Sequence, residues 1–389
     1  MRSILPGATI GILGGGQLGR MTAIAARGMG YGVQVLDPDP DCAARPVVDR
    51  VIAAAFDDAD AAGQLGRACD VVTLEIEQIG AEALAAAARH APLRPGADLV
   101  SMVQHRGRQK RWLADHGLPI GDYRLVDSAD ALADAARAFG GSLFVKACEG
   151  GYDGRSQLRF APSNDSAAAF DALGRRPSVA ERGLDLALEL SVLVARRPSG
   201  DVVVYPPAVN HHERQVLAWS TLPGALPPTV AAEAQDLART IAEAAQLEGI
   251  LAVELFLLQS GRLLVNELAP RPHNSYHASE LACPTSQFEQ LVRAVCNLPL
   301  GAVEPARPAA IVNLFGDLWL DGAPPDFARA LTVPTSRLFL YGKRGAKPGR
   351  KMGHVAALGR TPDEALDRAR EAGARLSLSA ALPMPDERE

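Results

Sequence analysis

An α/β fold with a Rossmann-like βαβ unit at the N-terminus is what this sequence predicts, and three stretches predict it. Residues 8–14, ATIGILG, form a short apolar run that opens into Gly14-Gly15-Gly16-Gln17-Leu18-Gly19, continues as a helical run to about Gly28 and returns as GVQVLD, ending at Asp37. Residues 249–267 carry two apolar runs flanking Ser260-Gly261, the signature of a two-residue hairpin turn. Residues 141–148, GSLFVKAC, read as a strand carrying Lys146 into a second glycine-rich stretch. At 389 residues the chain is long enough for two or three domains with sizeable cores.

The first unit matches the dinucleotide fingerprint Gly14-x-Gly16-x-x-Gly19, with Asp37 about where a ribose-binding acid stands. Any βαβ start that needs a tight turn and close helix packing can carry the same glycines. The motif therefore admits a nicotinamide site and equally a glycine loop for another phosphorylated ligand. A further strand near Cys69–Ile76 closes the unit, and alternation puts Glu75 and Glu77 on one face of it. A solvated strand end is the bland account of that pair. Glu75, though, falls at the carboxyl edge of a parallel sheet, where open α/β folds collect their ligands.

Composition excludes several classes. A net charge of −5 gives no electrostatic case for nucleic acid or an anionic membrane. The apolar runs are too short to span a bilayer. The N-terminal patch runs straight into a glycine loop and lacks a cleavage site, so it reads as the first strand of a cytoplasmic protein. Five scattered cysteines without a CxxC pattern argue against disulfides or zinc and read as small buried hydrophobes.

The hairpin makes the sharpest prediction. If Ser260-Gly261 is the turn, counting outward places Glu254 directly opposite Glu267. Cross-strand partners stand only about 4.5–5.5 Å apart at Cβ, so two acids there repel unless a cation lies between them. Oxygen ligands favour Mg²⁺, which binds one or two carboxylates together with substrate phosphates. A polar run, Arg271, His273, Asn274 and Ser275, follows at once.

Around the hairpin stand other candidates. Leu93–Ser101 is a proline- and glycine-containing connection that marks a first boundary. His105–His116 reads as a basic helix with Arg106 and Lys110, a solvated face by default. Glu149–Gln157 is dense enough in glycine for backbone N–H groups to curl around phosphate, and Lys146 on an apolar strand needs an anionic partner. The Walker pattern is absent. Glu189 sits among apolar residues, where a buried acid suits ribose hydroxyls, and the peptide edge near 182–184 could read an adenine. Pro206–Pro228 reads as loop containing Asn210, with His211 and His212 as solvent-exposed loop residues that lack the spacing of a metal pair. Thr229–Gly249 reads as an amphipathic helix ended by Gly249. After a second boundary at GAVEPARPAA, Lys343, Arg344, Lys347, Arg350 and Lys351 form a cationic loop that spacing reads equally as solvated turn or anion site.

Taken together, GGGQLGRM, TLEIE, Lys146 with GGYDGRSQ, NELAPRPHNS and PGRKMGHV resemble, in the same order, the N5-carboxyaminoimidazole ribonucleotide synthetases, ATP-grasp enzymes of purine biosynthesis. The resemblance runs from about Ile10 to Val355. It implies an ATP-grasp fold with an N-terminal Rossmann-like domain (1–100), an ATP-grasp domain (101–300) with a lid over about 120–190, and a small C-terminal domain (301–389). It implies carboxylation of 5-aminoimidazole ribonucleotide by ATP and bicarbonate through carboxyphosphate, with two Mg²⁺ ions on Glu254 and Glu267. Arg106, Lys146 and Asn266 match nucleotide contacts, Glu181, Arg182 and Leu184 the adenine hinge, and Glu189 the ribose acid. Tyr152, Asp153, Arg155, His273, Asn274, Arg350 and Lys351, with Gln17, Leu18, Glu75 and Lys343, correspond to the ribonucleotide site. Asp153, Arg271, Lys351 and Tyr152 are implied in the chemistry. A homodimer and a separate downstream mutase are expected partners. Ser156 and Lys347 stand where glycine and arginine are usual. A formate-using glycinamide ribonucleotide transformylase and an NAD-dependent oxidoreductase are the competing readings.

Overall fold

The computed structural model describes residues 2–150, 157–320 and 324–377. Four parallel strands open the chain: β1 (Thr9–Leu13), β2 (Gly32–Asp37), β3 (Arg50–Ala53) and β4 (Val71–Leu74), in the order β3-β2-β1-β4. That is the order of a mononucleotide-binding half, as the βαβ rhythm predicts. Helices cover both faces, which is why β1 and β4 are almost continuously buried. The strand expected to reach Ile76 ends at Leu74, so Glu75 and Glu77 leave the sheet and go separate ways.

A second, antiparallel sheet contains β5 (Tyr123–Val126), β6 (Leu143–Ala147), β7 (Gln157–Phe160) and β8 (Ser178–Arg182), ordered β5-β8-β6-β7. It falls within residues 120–190, where the resemblance implies a lid. The largest sheet begins with β9 (Leu186–Arg196), β10 (Val202–Val204), β11 (Ala208–Glu213), β12 (Val216–Leu222), β13 (Gly249–Leu258) and β14 (Leu263–Ala269). It is completed by β15 (Ala309–Phe315), β16 (Ser336–Leu340) and β17 (Lys351–Leu358). Its path is β14-β13-β9-β11-β12-β15-β17-β16, with β10 beside β9. Because β15 pairs with β12, the C-terminal strands extend the central sheet and carry Lys351 to its working end.

Two local readings change. The stretch read as loop around Asn210–His212 is β11 paired with β9 and β12, because its neighbours across the sheet satisfy its backbone groups. The helix before the hairpin runs Pro228–Ala244, and Gly249, at φ +130, opens β13 instead of capping the helix. The core lies between the helices and both faces of β9 and β13, where Leu193, Ala195, Ile250 and Ala252 face one cluster and Val192, Val194, Leu251 and Val253 the other.

Candidate active site

The β13–β14 hairpin is built differently from the simple count, and reaches the same pair. Its loop has three residues: Leu258 N–H bonds to the Arg262 carbonyl, and Gly261, at φ +83, donates to the Leu258 carbonyl. This is a type I turn with glycine in the left-handed position. Leu257 therefore faces Leu263 and Leu255 faces Val265, one residue out of the predicted register. A bulge between Glu254 and Leu255 then restores it, and Glu254 faces Glu267. The extra residue is Asn266. A bulge sets two residues against one and re-aims a side chain; here Asn266 Nδ2 donates to Glu254 Oε2 at 3.1 Å.

The pair opens into a cleft of about 850 Å³ lined from the second and third sheets and from the stretches that follow β3 and β4. Arg106, Lys146, Glu181, Arg182, Leu184, Glu189, Asn266, Arg271, His273, Asn274 and Lys351 all reach it. Burial and each other set the charge of the two acids. Desolvation pushes Glu267 upward and the Glu254 charge adds to the push, while Arg106 and Lys146 oppose it. Burial works on Glu254 too, but the His273 hydrogen bond and charge outweigh it and hold that carboxyl below the usual range. His273 Nε2 lies 3.1 Å from Glu254 Oε1.

Lys110, expected on a solvated helix face, is buried, and its Nζ meets Glu181 Oε1 at 2.6 Å. Lys146 Nζ meets Oε2 of the same carboxylate at 2.6 Å and reaches Asn266 Oδ1 at 3.3 Å. Burial would raise the Glu181 carboxyl, yet the two ammonium groups bring it down to about 2. Burial pulls Lys110 the other way, below its ordinary value. The Glu181 side chain is thus engaged with both lysines, and the Arg182 and Gly183 N–H groups donate to the Asp122 and Ser142 carbonyls at 3.0 Å. Glu77 is no solvated strand end either: Arg271 Nε contacts its Oε1 at 2.7 Å, and both line the cleft. His212 lies 2.8 Å from Glu189 and also lines the cleft. Helix periodicity could have marked Lys110; the Glu77 and His212 contacts cross elements far apart in sequence and left no local signal.

Gln17, Leu18, Glu75, Lys343 and Arg350 stand outside the cleft lining. Glu75 takes hydrogen bonds from Gly16 N–H (2.7 Å) and Gly19 N–H (2.9 Å), and Asp37 accepts from Gly15 N–H at 2.7 Å. The glycines are needed because a Cβ at Gly16 would lie 2.5 Å from the Glu75 carboxylate. The amides a dinucleotide pyrophosphate would use are already bonded to the chain's own acids. Leu18 packs in a small core with Met21, Phe288 and Tyr341. Lys343 bonds to Gln17 and, at 2.9 Å, to the Lys351 carbonyl. Arg350 folds back onto the Arg344 and Gly345 carbonyls at 2.7 and 2.8 Å, and Arg344 pairs with Asp41, so part of the cationic loop is spent on its own structure. Tyr152, Asp153 and Arg155 lie outside the described residues.

Comparison with known proteins agrees with this architecture. The ATP-grasp domain family matches residues 111–288, the ribonucleotide synthetase preATP-grasp domain 7–104, and the phosphoribosylaminoimidazole carboxylase C-terminal domain 309–368. The N5-carboxyaminoimidazole ribonucleotide synthase of Bacillus subtilis is 39% identical over 362 residues, 93% of this chain and 94% of that protein. That of Brucella melitensis is 40% identical over 358 residues, covering 92% and 98%. Among solved structures, an ADP complex of N5-carboxyaminoimidazole ribonucleotide synthetase superposes with a TM-score of 0.90 at 39% identity, covering 96% and 98%. The Aspergillus clavatus enzyme with ADP and 5-aminoimidazole ribonucleotide superposes at 0.85 with 30% identity, covering 95% and 98%. Among the described residues, no helix is long and apolar enough to cross a membrane.

Proposed function

The chain belongs to the N5-carboxyaminoimidazole ribonucleotide synthetase family of ATP-grasp enzymes, and on that premise we propose that it uses ATP and bicarbonate to carboxylate 5-aminoimidazole ribonucleotide. Bicarbonate attacks the γ-phosphate to give carboxyphosphate and ADP. The carboxyl group then passes to the ribonucleotide amine, and phosphate leaves. Phosphoryl transfer of this kind needs positioning and charge neutralisation more than covalent groups from the protein.

One observation carries the reading: Glu254 and Glu267 face each other in a single cleft with Arg106, Lys110, Lys146 and Arg271. Two carboxylates and the neighbouring Asn266 amide form an oxygen-bearing set that fits Mg²⁺, which keeps its remaining positions for water and phosphate. Two such ions, when bound, neutralise the triphosphate. Arg106, Lys146 and Asn266 hold the phosphates, the hinge of Glu181, Arg182 and Leu184 takes the adenine, and Glu189, paired with His212, takes the ribose. Arg271, steadied by Glu77, faces the bicarbonate and γ-phosphate. His273, Asn274 and Lys351, with Tyr152, Asp153 and Arg155, take the acceptor, and Asp153 orients its amine. Gln17, Leu18, Glu75, Lys343 and Arg350 border that end of the site. We read 1–100, 101–300 and 301–389 as the three domains of a cytoplasmic homodimer whose product passes to a separate mutase.

The test is ADP release from Mg-ATP and aminoimidazole ribonucleotide with and without bicarbonate. Turnover that requires both co-substrates supports the reading; turnover indifferent to both, or dependent on NADH, overturns it. Formate with glycinamide ribonucleotide is expected to give none.

A further inference from the structure

Behind His273 lies a row of buried polar groups with no part in the chemistry above. His273 Nδ1 is 2.8 Å from Ser275 Oγ, Ser275 Oγ is 2.7 Å from Ser191 Oγ, and Asn210 Nδ2 donates to Ser191 Oγ at 3.1 Å. Ser191 and Ser275 are wholly buried and Asn210 is 7% exposed. The row starts on β11, crosses β9 and ends at the hairpin, where His273 Nε2 meets Glu254 Oε1 at 3.1 Å.

When the His273 ring is neutral, chemistry gives this row one direction. An ionised carboxylate only accepts, so His273 Nε2 must carry a hydrogen to bond to Glu254. In a neutral imidazole the other nitrogen is then an acceptor, and the Ser275 hydroxyl must donate to it. Ser275 has a single O–H, already given to the ring, so Ser191 must donate to Ser275. Ser191 in turn receives its hydrogen bond from the Asn210 amide. Every bond thereby holds one hydrogen, with donors running from Asn210 to Glu254.

We infer that Ser275, backed by Ser191 and Asn210, is a positioning residue that sets the tautomer of His273 and through it the aim of the Glu254 carboxylate. Glu254 then has one donor on each oxygen, His273 on Oε1 and Asn266 on Oε2. Without the Ser275 hydroxyl, Nδ1 has lost its donor, and the Nε2–H form is held by the Glu254 bond alone. The opposite tautomer presents a lone pair to the carboxylate and releases Oε1. Outer groups that orient a metal-binding side chain typically matter about 10–100-fold in metal affinity or activity. The tautomer assignment stands on the hydrogen-bond geometry alone; its effect on turnover rests on the proposed function.

Two measurements separate these. On the full chain labelled with ¹⁵N-histidine at pH 8, long-range ¹H–¹⁵N spectra are expected to show His273, assigned by its loss in His273→Gln, as the Nε2–H tautomer. In Ser275→Ala the ring shifts toward a tautomer mixture, and Ser275→Thr, which keeps the hydroxyl, restores the wild-type pattern. An Nδ1–H ring in the wild type, or an unchanged ring in Ser275→Ala, overturns the inference. In the carboxylation assay, Ser275→Ala is expected to raise the Mg²⁺ activation constant about tenfold or more with little change in the melting temperature. Ser191→Ala, one bond further back, is expected to have a smaller effect of the same sign and serves if Ser275→Ala does not fold. An activation constant unmoved in both variants overturns the link to Glu254. Absence of carboxylation in the wild type counts against the proposed function and leaves the spectra to decide the tautomer.

Discussion

Glu254 faces Glu267 across a strand pair that slips by one residue at the turn and recovers that residue at Asn266. The two irregularities cancel. A two-residue turn on straight strands would also oppose the acids, but would leave no residue where Asn266 now spans from Lys146 to Glu254. The bulge thus adds an amide to an acid pair that the simple register already placed, and the first predictions concern these side chains.

Glu267→Gln keeps the shape of the side chain and removes half of the acid pair. Turnover is expected to fall by more than about 100-fold, beyond the usual cost of losing a group that merely orients a metal ligand. Circular dichroism and melting should stay close to wild type, because Glu267 is a carboxyl that burial already disfavours in its charged form. Activity within tenfold of wild type would show that the acid pair does not seat the ion.

Asn266→Ala leaves the hairpin backbone in place and removes the amide between Lys146 and Glu254. Hydrogen bonds to charged groups contribute about 1.5–3 kcal/mol, so the KM for Mg-ATP is expected to rise about tenfold or more. Steady-state kinetics at varied Mg-ATP measures it. An unchanged KM would mean that the bulge serves the fold alone.

Glu181 neutralises two lysines at once, each 2.6 Å from one of its oxygens. In Glu181→Gln the buried ammonium groups are left facing one another, and breaking a buried pair in this way costs about 3–5 kcal/mol. Denaturant titration should show that loss. Adding Lys110→Met should recover part of it, since one of the opposing charges is gone. A double variant no more stable than the single one would remove the charge argument.

His277 and His354 stack at 4.5 Å in the core, with Tyr341 Oη bonded to His354 Nδ1 at 2.8 Å. Burial lowers both rings, His354 from 6.5 to about 3. A group whose folded pKa is depressed in this way is protonated in the unfolded chain first. The His354 contribution is therefore intact above about pH 6.5 and declines as the pH falls toward about 3, and His277 acts in the same direction. His354 adds a slope of about 1.4 kcal/mol per pH unit within that window. His212, raised by Glu189, works in the opposite sense, its contribution fading as the pH rises. Urea midpoints at pH 7.5, 6 and 5 should therefore fall with acidification, and His354→Phe should flatten the slope by about one proton. A slope unaffected by that substitution would place the titration elsewhere.

Local sequence determined the parts whose physics is local. Apolar runs, glycines and turn residues were enough for the βαβ start and for both arms of the hairpin, because periodicity and φ preferences act over a few neighbours. They were also enough to oppose Glu254 and Glu267, although the turn has three residues and the bulge makes up the difference. The ordered motifs from GGGQLGRM to PGRKMGHV carried the family, which the comparisons bear out. Only the tertiary structure decided which charges meet. Lys110 is buried on Glu181, Glu77 holds Arg271, and His212 holds Glu189, each across a long stretch of chain. It also decided that the glycine fingerprint receives Glu75 and Asp37 from its own sheet edge and not a pyrophosphate. The reason is the same in each case. A charge in a sequence states a need for a partner, and packing alone determines which of many distant candidates is brought within about 3 Å to meet it.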